Sequence, residues 1–161
     1  TGGSYPQLDH KLTITSTGLT GTCGYLTVWA NGSTMWGKSD AFRYVYQSVS
    51  GNFDAKLLIV TPPTETGQAF AKAGLEIRAT TDRRSQHVMA MATNMSGLQF
   101  AYRPAYNNYT TQVVSYVAIS YPVWVRIVRS GNTFTYYYSS NGTTWTNHGS
   151  RSVSMPTTVM I

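Results

Sequence analysis

The stretch VWVRIVRSGNTFTYYYSSNGTTWT, residues 123–146, decides the fold. In its first half Val125 and Ile127 alternate with Trp124, Arg126 and Val128. After Gly131-Asn132 the alternation resumes, with Phe134, Tyr136 and Tyr138 on one face and Tyr137 alone on the other. A side-chain period of two is that of a strand, not of a helix. The stretch therefore reads as two strands joined by a short turn, sharing one apolar face. Ser139-Ser140-Asn141-Gly142 reads as the next turn, because Asn-Gly suits the positive-φ positions of a tight hairpin. The three tyrosines are mainly architecture. Tyr137 is the exception, facing the side of Trp124 and Arg126.

The same pattern extends outward along the chain. Alternating runs rich in Val, Ile, Thr, Tyr and Phe predict strands near 11–15, 25–30, 41–47, 53–60, 73–79, 87–93, 98–103, 111–119, 123–129, 133–138, 143–148 and 157–161. Gly, Asn, Ser and Pro separate them, and Pro62-Pro63 with Gly67 marks a loop. Helical periodicity is nearly absent. About a dozen short strands at near-regular spacing imply an all-β sandwich or barrel. With 161 residues, 42% of them hydrophobic, residues 1–161 form one domain with a sizeable core.

Alternation also assigns faces. Leu75 and Ile77 oppose Glu76 and Arg78, and Leu98, Phe100 and Tyr102 oppose Gln99 and Arg103. Phe42, Tyr44 and Tyr46 oppose Arg43, Val45 and Gln47. One face of each strand suits the interior of a sandwich. The other gathers Arg, Gln, Glu and Trp.

Charged residues are only 11% of the chain, which carries a net charge of +6 from 12 Lys+Arg and 6 Asp+Glu. The excess reflects scarce acids, and Arg83-Arg84 is the longest basic run, so no nucleic-acid partner is expected. Low charge with abundant hydroxyls and aromatics is common in secreted β proteins. The single cysteine, Cys23, forms no internal disulfide and reads as a buried thiol or an intermolecular link. No apolar run reaches the length of a membrane span. Asn31, Asn94, Asn108 and Asn141 begin N-x-[ST] triplets, which so Thr/Ser-rich a chain produces by chance.

Catalytic patterns are scarce. A glycosidase needs two flanking carboxylates, and the chain offers only Asp9, Asp40, Asp54, Glu65, Glu76 and Asp82. Glu76 shares a strand face with Arg78, so a structural ion pair is the first reading, a binding carboxylate the second and a catalytic acid a distant third. His10, His87 and His148 are isolated in sequence, and no H-E-x-x-H or G-x-S-x-G motif occurs. No cofactor is expected, apart from a structural calcium held by backbone carbonyls and one carboxylate near Asp40 or Asp82.

Aromatics are the main chemical resource, at 13% with four tryptophans and twelve tyrosines. A ring beside Arg, Gln, Asn or Glu can stack on a sugar's C–H face and hydrogen-bond its edge. On this reasoning the ligand-binding set is Trp124, Arg126, Arg78, Glu76, Arg103, Gln99, Tyr137 and Arg43. Trp124 is the best exposed tryptophan, because it lies on the Arg126 face.

The order of several segments is also familiar. MWGKSDAFRYVYQSVSGNFDAKLLIV, AKAGLEIRATTDRRSQHVMAMAT, LQFAYR, PVWVRIVRSGNTFTYYYSSNGTTWT and VSMPTTVMI follow one another from Met35 to Ile161, within a resemblance that covers residues 25–161. This resembles the secreted bacterial β-sandwich domains labelled DUF1349, related to "regulation of enolase protein 1", within the concanavalin A-like lectin/glucanase (LamG-like) group. The most specific stretch runs from Trp124 through Arg126, Arg129, Gly131 and Asn132 to Phe134. Ser139 to Trp145 is also similar to the Asp-box pattern, a folding turn, with Asn141 for Asp.

The resemblance implies a jelly roll of two antiparallel sheets and a secreted, non-catalytic module binding polysaccharide or mediating adhesion. The family has no agreed catalytic residues, so none carries over. Glu76 departs from it, standing where an apolar or small residue is usual. Members also continue beyond a VSMPTTVMI-like strand with one more strand, whereas this chain stops at Ile161. Two explanations follow. Either the chain is incomplete, or a partner chain donates the strand, which would build a filament or a stable pair.

Overall fold

The computed structural model describes residues 9–11, 28, 35–63, 71–94, 96–113 and 116–161. The strands expected at 11–15 and 25–30, and Cys23, lie outside the described residues, apart from Lys11 and Val28. Twelve strands are described: β1 (Asp9–Lys11), β2 (Tyr44–Tyr46), β3 (Ser48–Ser50), β4 (Phe53–Ile59), β5 (Lys72–Arg78), β6 (His87–Thr93), β7 (Gly97–Arg103), β8 (Thr111–Gln112), β9 (Val123–Ser130), β10 (Thr133–Ser139), β11 (Thr146–Ser152) and β12 (Thr158–Met160). No helix occurs among the described residues, so none is long and apolar enough to cross a membrane.

Two antiparallel sheets pack as a sandwich. One has the order β3-β12-β5-β6-β7-β8 and the other β11-β10-β9-β4, while β1 runs parallel to β2 as a small separate pair. The hairpin in the opening stretch pairs in strict register from Thr133↔Ser130 to Ser139↔Trp124. β4 lies on the other side of β9, from Phe53↔Arg129 to Ile59↔Val123.

The period-two pattern places the core. Val125 and Ile127 of β9 and Phe134 and Tyr136 of β10 meet Leu75, Ile77, Val88, Ala90, Leu98 and Phe100 of the larger sheet. The Phe100 and Tyr136 rings meet across the two sheets at 5.7 Å and 72°, an edge-to-face contact favoured by their quadrupoles. Burial pushes the Tyr136 hydroxyl far above its usual range.

Three expectations need correction. The 41–47 run forms a strand only at Tyr44–Tyr46, and Phe42 does not enter the inter-sheet core. It packs with Met35, Trp36, Met89, Met91 and Ala101 in a second apolar cluster. Met89, Met91 and Ala101 alternate with inter-sheet core residues, so this cluster lies on the outer face of the six-stranded sheet. The segment expected at 143–148 becomes β11 three residues later, because the Asn141 turn consumes Thr143 to Trp145. At 111–119 the ladder holds only Thr111–Gln112, with an isolated Leu98↔Val117 bridge beyond.

Candidate functional site

The sequence-derived site residues separate into two places on different sheets. Arg78, Glu76, Arg103 and Gln99 lie on the outer face of the six-stranded sheet, but that face is covered. Residues 35–42 cross it, and Arg78, Arg103 and Gln99 are 0% exposed. Arg43, next to this cover, is half-buried.

Asp40 is the centre of the buried group. Its carboxylate accepts from Arg103 Nη1 at 2.7 Å through Oδ2, and from Arg103 Nη2 through Oδ1. Arg78 Nη1 donates to the same Oδ2 at 2.7 Å and lies 2.8 Å from Glu76 Oε1. His87 joins them, with Nδ1 3.3 Å from Arg78 Nη1 and Nε2 3.2 Å from the Thr110 hydroxyl. Register explains the convergence, since Arg78, His87 and Arg103 stand side by side on β5, β6 and β7. Two carboxylates thus face two guanidiniums in a water-excluded place. Burial pushes the Asp40 carboxyl up, but hydrogen bonds from His87 and Arg103 and the nearby His87 and Arg78 charges hold it lower, at about 2.

Arg103 also ties loops together. It donates to the carbonyls of Gly37 at 2.8 Å, Ser85 at 3.1 Å and Arg83 at 3.3 Å, and to Thr110 Oγ1 at 3.3 Å. Arg78 adds the Asp82 carbonyl at 2.8 Å. The cover, the 79–86 turn and the 104–110 loop are therefore anchored on one pair of arginines.

Asp40, Glu76 and His87 each direct a ligand-type atom to a region 4.8 Å across. A metal does not fit there. Arg78 Nη1 already lies within 3.3 Å of all three, so a guanidinium takes the place of the cation. Asp82, the other calcium position considered, accepts instead from the Arg84 backbone N–H at 2.7 Å and from the Tyr106 hydroxyl at 3.4 Å.

Arg126 and Tyr137 stand on the outer face of the four-stranded sheet, where both are partly exposed, as Trp124 is. Arg126 donates to Asp54 in a two-point pair, Nε to Oδ1 at 2.7 Å and Nη2 to Oδ2 at 2.8 Å. Its guanidinium lies 4.9 Å from the Tyr137 ring centre and 5.3 Å from that of Trp145. Lys56 reaches the Trp145 ring at 5.8 Å. Hydrogen bonding to Arg126 lowers the Asp54 pKa, and the same bond raises that of Arg126.

Trp124 is only partly exposed, because the 139–142 turn lies on it. A Cβ on Gly142 would come within 2.9 Å of the indole. The turn differs from the expected Asn-Gly geometry, since only Gly142 has positive φ, at 73°. Asn141 acts through its side chain, with Oδ1 accepting from the N–H groups of Thr143 and Thr144. Ser139 Oγ accepts from those of Asn141 and Gly142.

Sequence reasoning missed Asp54 and Trp145 as partners of Arg126, Lys56 as its cross-strand neighbour, and Asp40 as the centre of the buried group. A cross-strand signal existed only for those who knew the register, which sets Lys56 opposite Arg126. No family model matches the chain, and neither a curated protein nor a solved structure matches it.

Proposed function

We propose that this chain is a non-catalytic glycan-binding module of a secreted or cell-surface protein, and that it engages polysaccharide on the outer face of the four-stranded sheet. The observation that carries this reading is Arg126 fixed by Asp54 between Tyr137 and Trp145. Aromatic edges and faces suit the C–H surface of a sugar ring, while the remaining guanidinium N–H groups suit its hydroxyls. Because Asp54 already holds the guanidinium, little side-chain freedom remains to be lost on binding.

Among the acids whose side chains are described, the disposition supports a binding rather than a hydrolytic role. Asp40 and Glu76 are close enough for a carboxylate pair, yet both are sealed from solvent and bridged by Arg78. Asp54 and Asp82 are exposed, and each is engaged by an arginine. Affinity electrophoresis in gels containing soluble polysaccharides tests the reading. Retardation of the parent chain, lost in Tyr137→Ala, supports it; equal mobility of both in every polysaccharide overturns it.

One observation favours a second reading, assembly through strand donation. Leu57 stands beside the core residue Val125 yet is 37% exposed. Among the described residues the far edge of β4 pairs with no strand. Light scattering that finds only monomers at all concentrations removes this reading.

A further inference from the structure

We infer that the 104–110 loop is a second glycan-binding surface, directed to anionic polysaccharides. This rests on the reading of the chain as a glycan binder and extends it to a separate surface and a ligand charge. Tyr109 and Tyr106 are 61% and 48% exposed, the most exposed large apolar side chains among the described residues. Two exposed rings three residues apart offer faces on which a sugar can stack.

The loop that carries them is held firmly from below. The Asn107 N–H donates to the Arg84 carbonyl at 2.9 Å, and the Thr110 N–H to the Trp36 carbonyl at 3.3 Å. Thr110 Oγ1 is bound by Arg103 and His87 of the buried group. Asn107 adopts a left-handed φ of 58°, a conformation that such anchoring sustains. The rings are thus presented on a fixed base, so binding orders little new chain.

Positive charge surrounds them. Lys38 Nζ lies 5.1 Å from the Tyr109 ring centre and Arg84 4.9 Å from that of Tyr106. Arg83 is exposed on the adjoining turn. Against these three cations stands, among the described residues, one exposed carboxylate, Asp82, which is occupied by Arg84 and Tyr106. A sugar stacked on either tyrosine would place a carboxylate or sulfate substituent beside Lys38 or Arg84. Neutral sugars would leave those cations unused.

The test is affinity electrophoresis of the whole chain in gels containing polygalacturonate, dextran sulfate or neutral dextran. The expected result is retardation by one or both polyanions and a roughly tenfold weaker affinity in Tyr106→Ala/Tyr109→Ala, which keeps every charge. Lys38→Gln is expected to weaken it about threefold, and Arg126→Ala/Tyr137→Ala to leave polyanion retardation in place. Retardation by neither polyanion overturns the inference, as does a double tyrosine variant that behaves like the parent. If polyanion binding instead disappears only in Arg126→Ala/Tyr137→Ala, this inference fails while the four-stranded platform stands. Matching thermal unfolding of parent and variants establishes that the loop changes leave the fold intact.

Discussion

Asp40 and Arg103 are joined through both carboxylate oxygens, and Asp40 Oδ2 is shared with Arg78. Residues 63 positions apart thereby fix the cover of the six-stranded sheet onto β7. A charge-assisted, two-point pair is among the stronger polar contacts, and its burial makes it unforgiving.

Removing one partner of this group leaves buried charge without compensation. Asp40→Asn is expected to cost about 3–5 kcal/mol, the usual penalty for stranding a buried ion. Urea denaturation monitored by tryptophan fluorescence measures it. An exposed control, Asp82→Asn, should lose less than about 1 kcal/mol.

The same pair predicts an acid limit. The folded-state pKa of Asp40 is lowered from 3.8 to about 2, so its contribution to stability is present above the unfolded value. It is lost as pH falls through the folded value, in the window from about pH 4 to pH 2. The shift corresponds to roughly 2 kcal/mol. Thermal midpoints recorded across that window should fall more steeply for the parent than for Asp40→Asn.

The faces of β5, β7, β9 and β10 were legible from alternation, because a strand shows its sides in the sequence itself. Leu75, Ile77, Leu98, Phe100, Phe134 and Tyr136 are all buried in the core, and Tyr137 faces outward beside Arg126. Whether an outward face meets water is a different question. By alternation Arg78, Glu76, Gln99 and Arg103 belong to the ligand-binding set, and the 35–42 segment buries them. That covering is a long-range contact, and no local period encodes it. The pairing of Arg126 with Asp54 was hidden for the same reason, since it depends on how β4 registers against β9. Tyr106 and Tyr109 lie in a loop without periodicity, so nothing local marked them.

Gly142 supplies a local test of the Asn141 turn. With φ at 73° and the Trp124 indole 2.9 Å from where a Cβ would stand, Gly142→Ala meets both backbone strain and a side-chain clash. A loss of about 1–3 kcal/mol is expected, with a change in tryptophan emission as the ring shifts. Unchanged stability and emission would show that the turn does not rest on Trp124.

Arg129 gives a further stability prediction. It donates to the carbonyls of Gly131 at 2.8 Å, Pro156 at 2.8 Å, Thr157 at 3.2 Å and Met155 at 3.3 Å, fastening the approach to β12. Arg129→Met retains the aliphatic stem but removes every donor. It is expected to cost about 2–4 kcal/mol, and amide hydrogen exchange should accelerate first in β12 and in its partner β3.

The most direct measurement of the central claim is the binding of soluble polysaccharides to the parent chain, to Tyr137→Ala and to Arg126→Ala. The account predicts that at least one polysaccharide retards the parent, and that each substitution weakens that retardation by roughly tenfold while the chain stays folded. Polysaccharides that, every one of them, bind all three chains equally, or a parent that no polysaccharide retards, would contradict it.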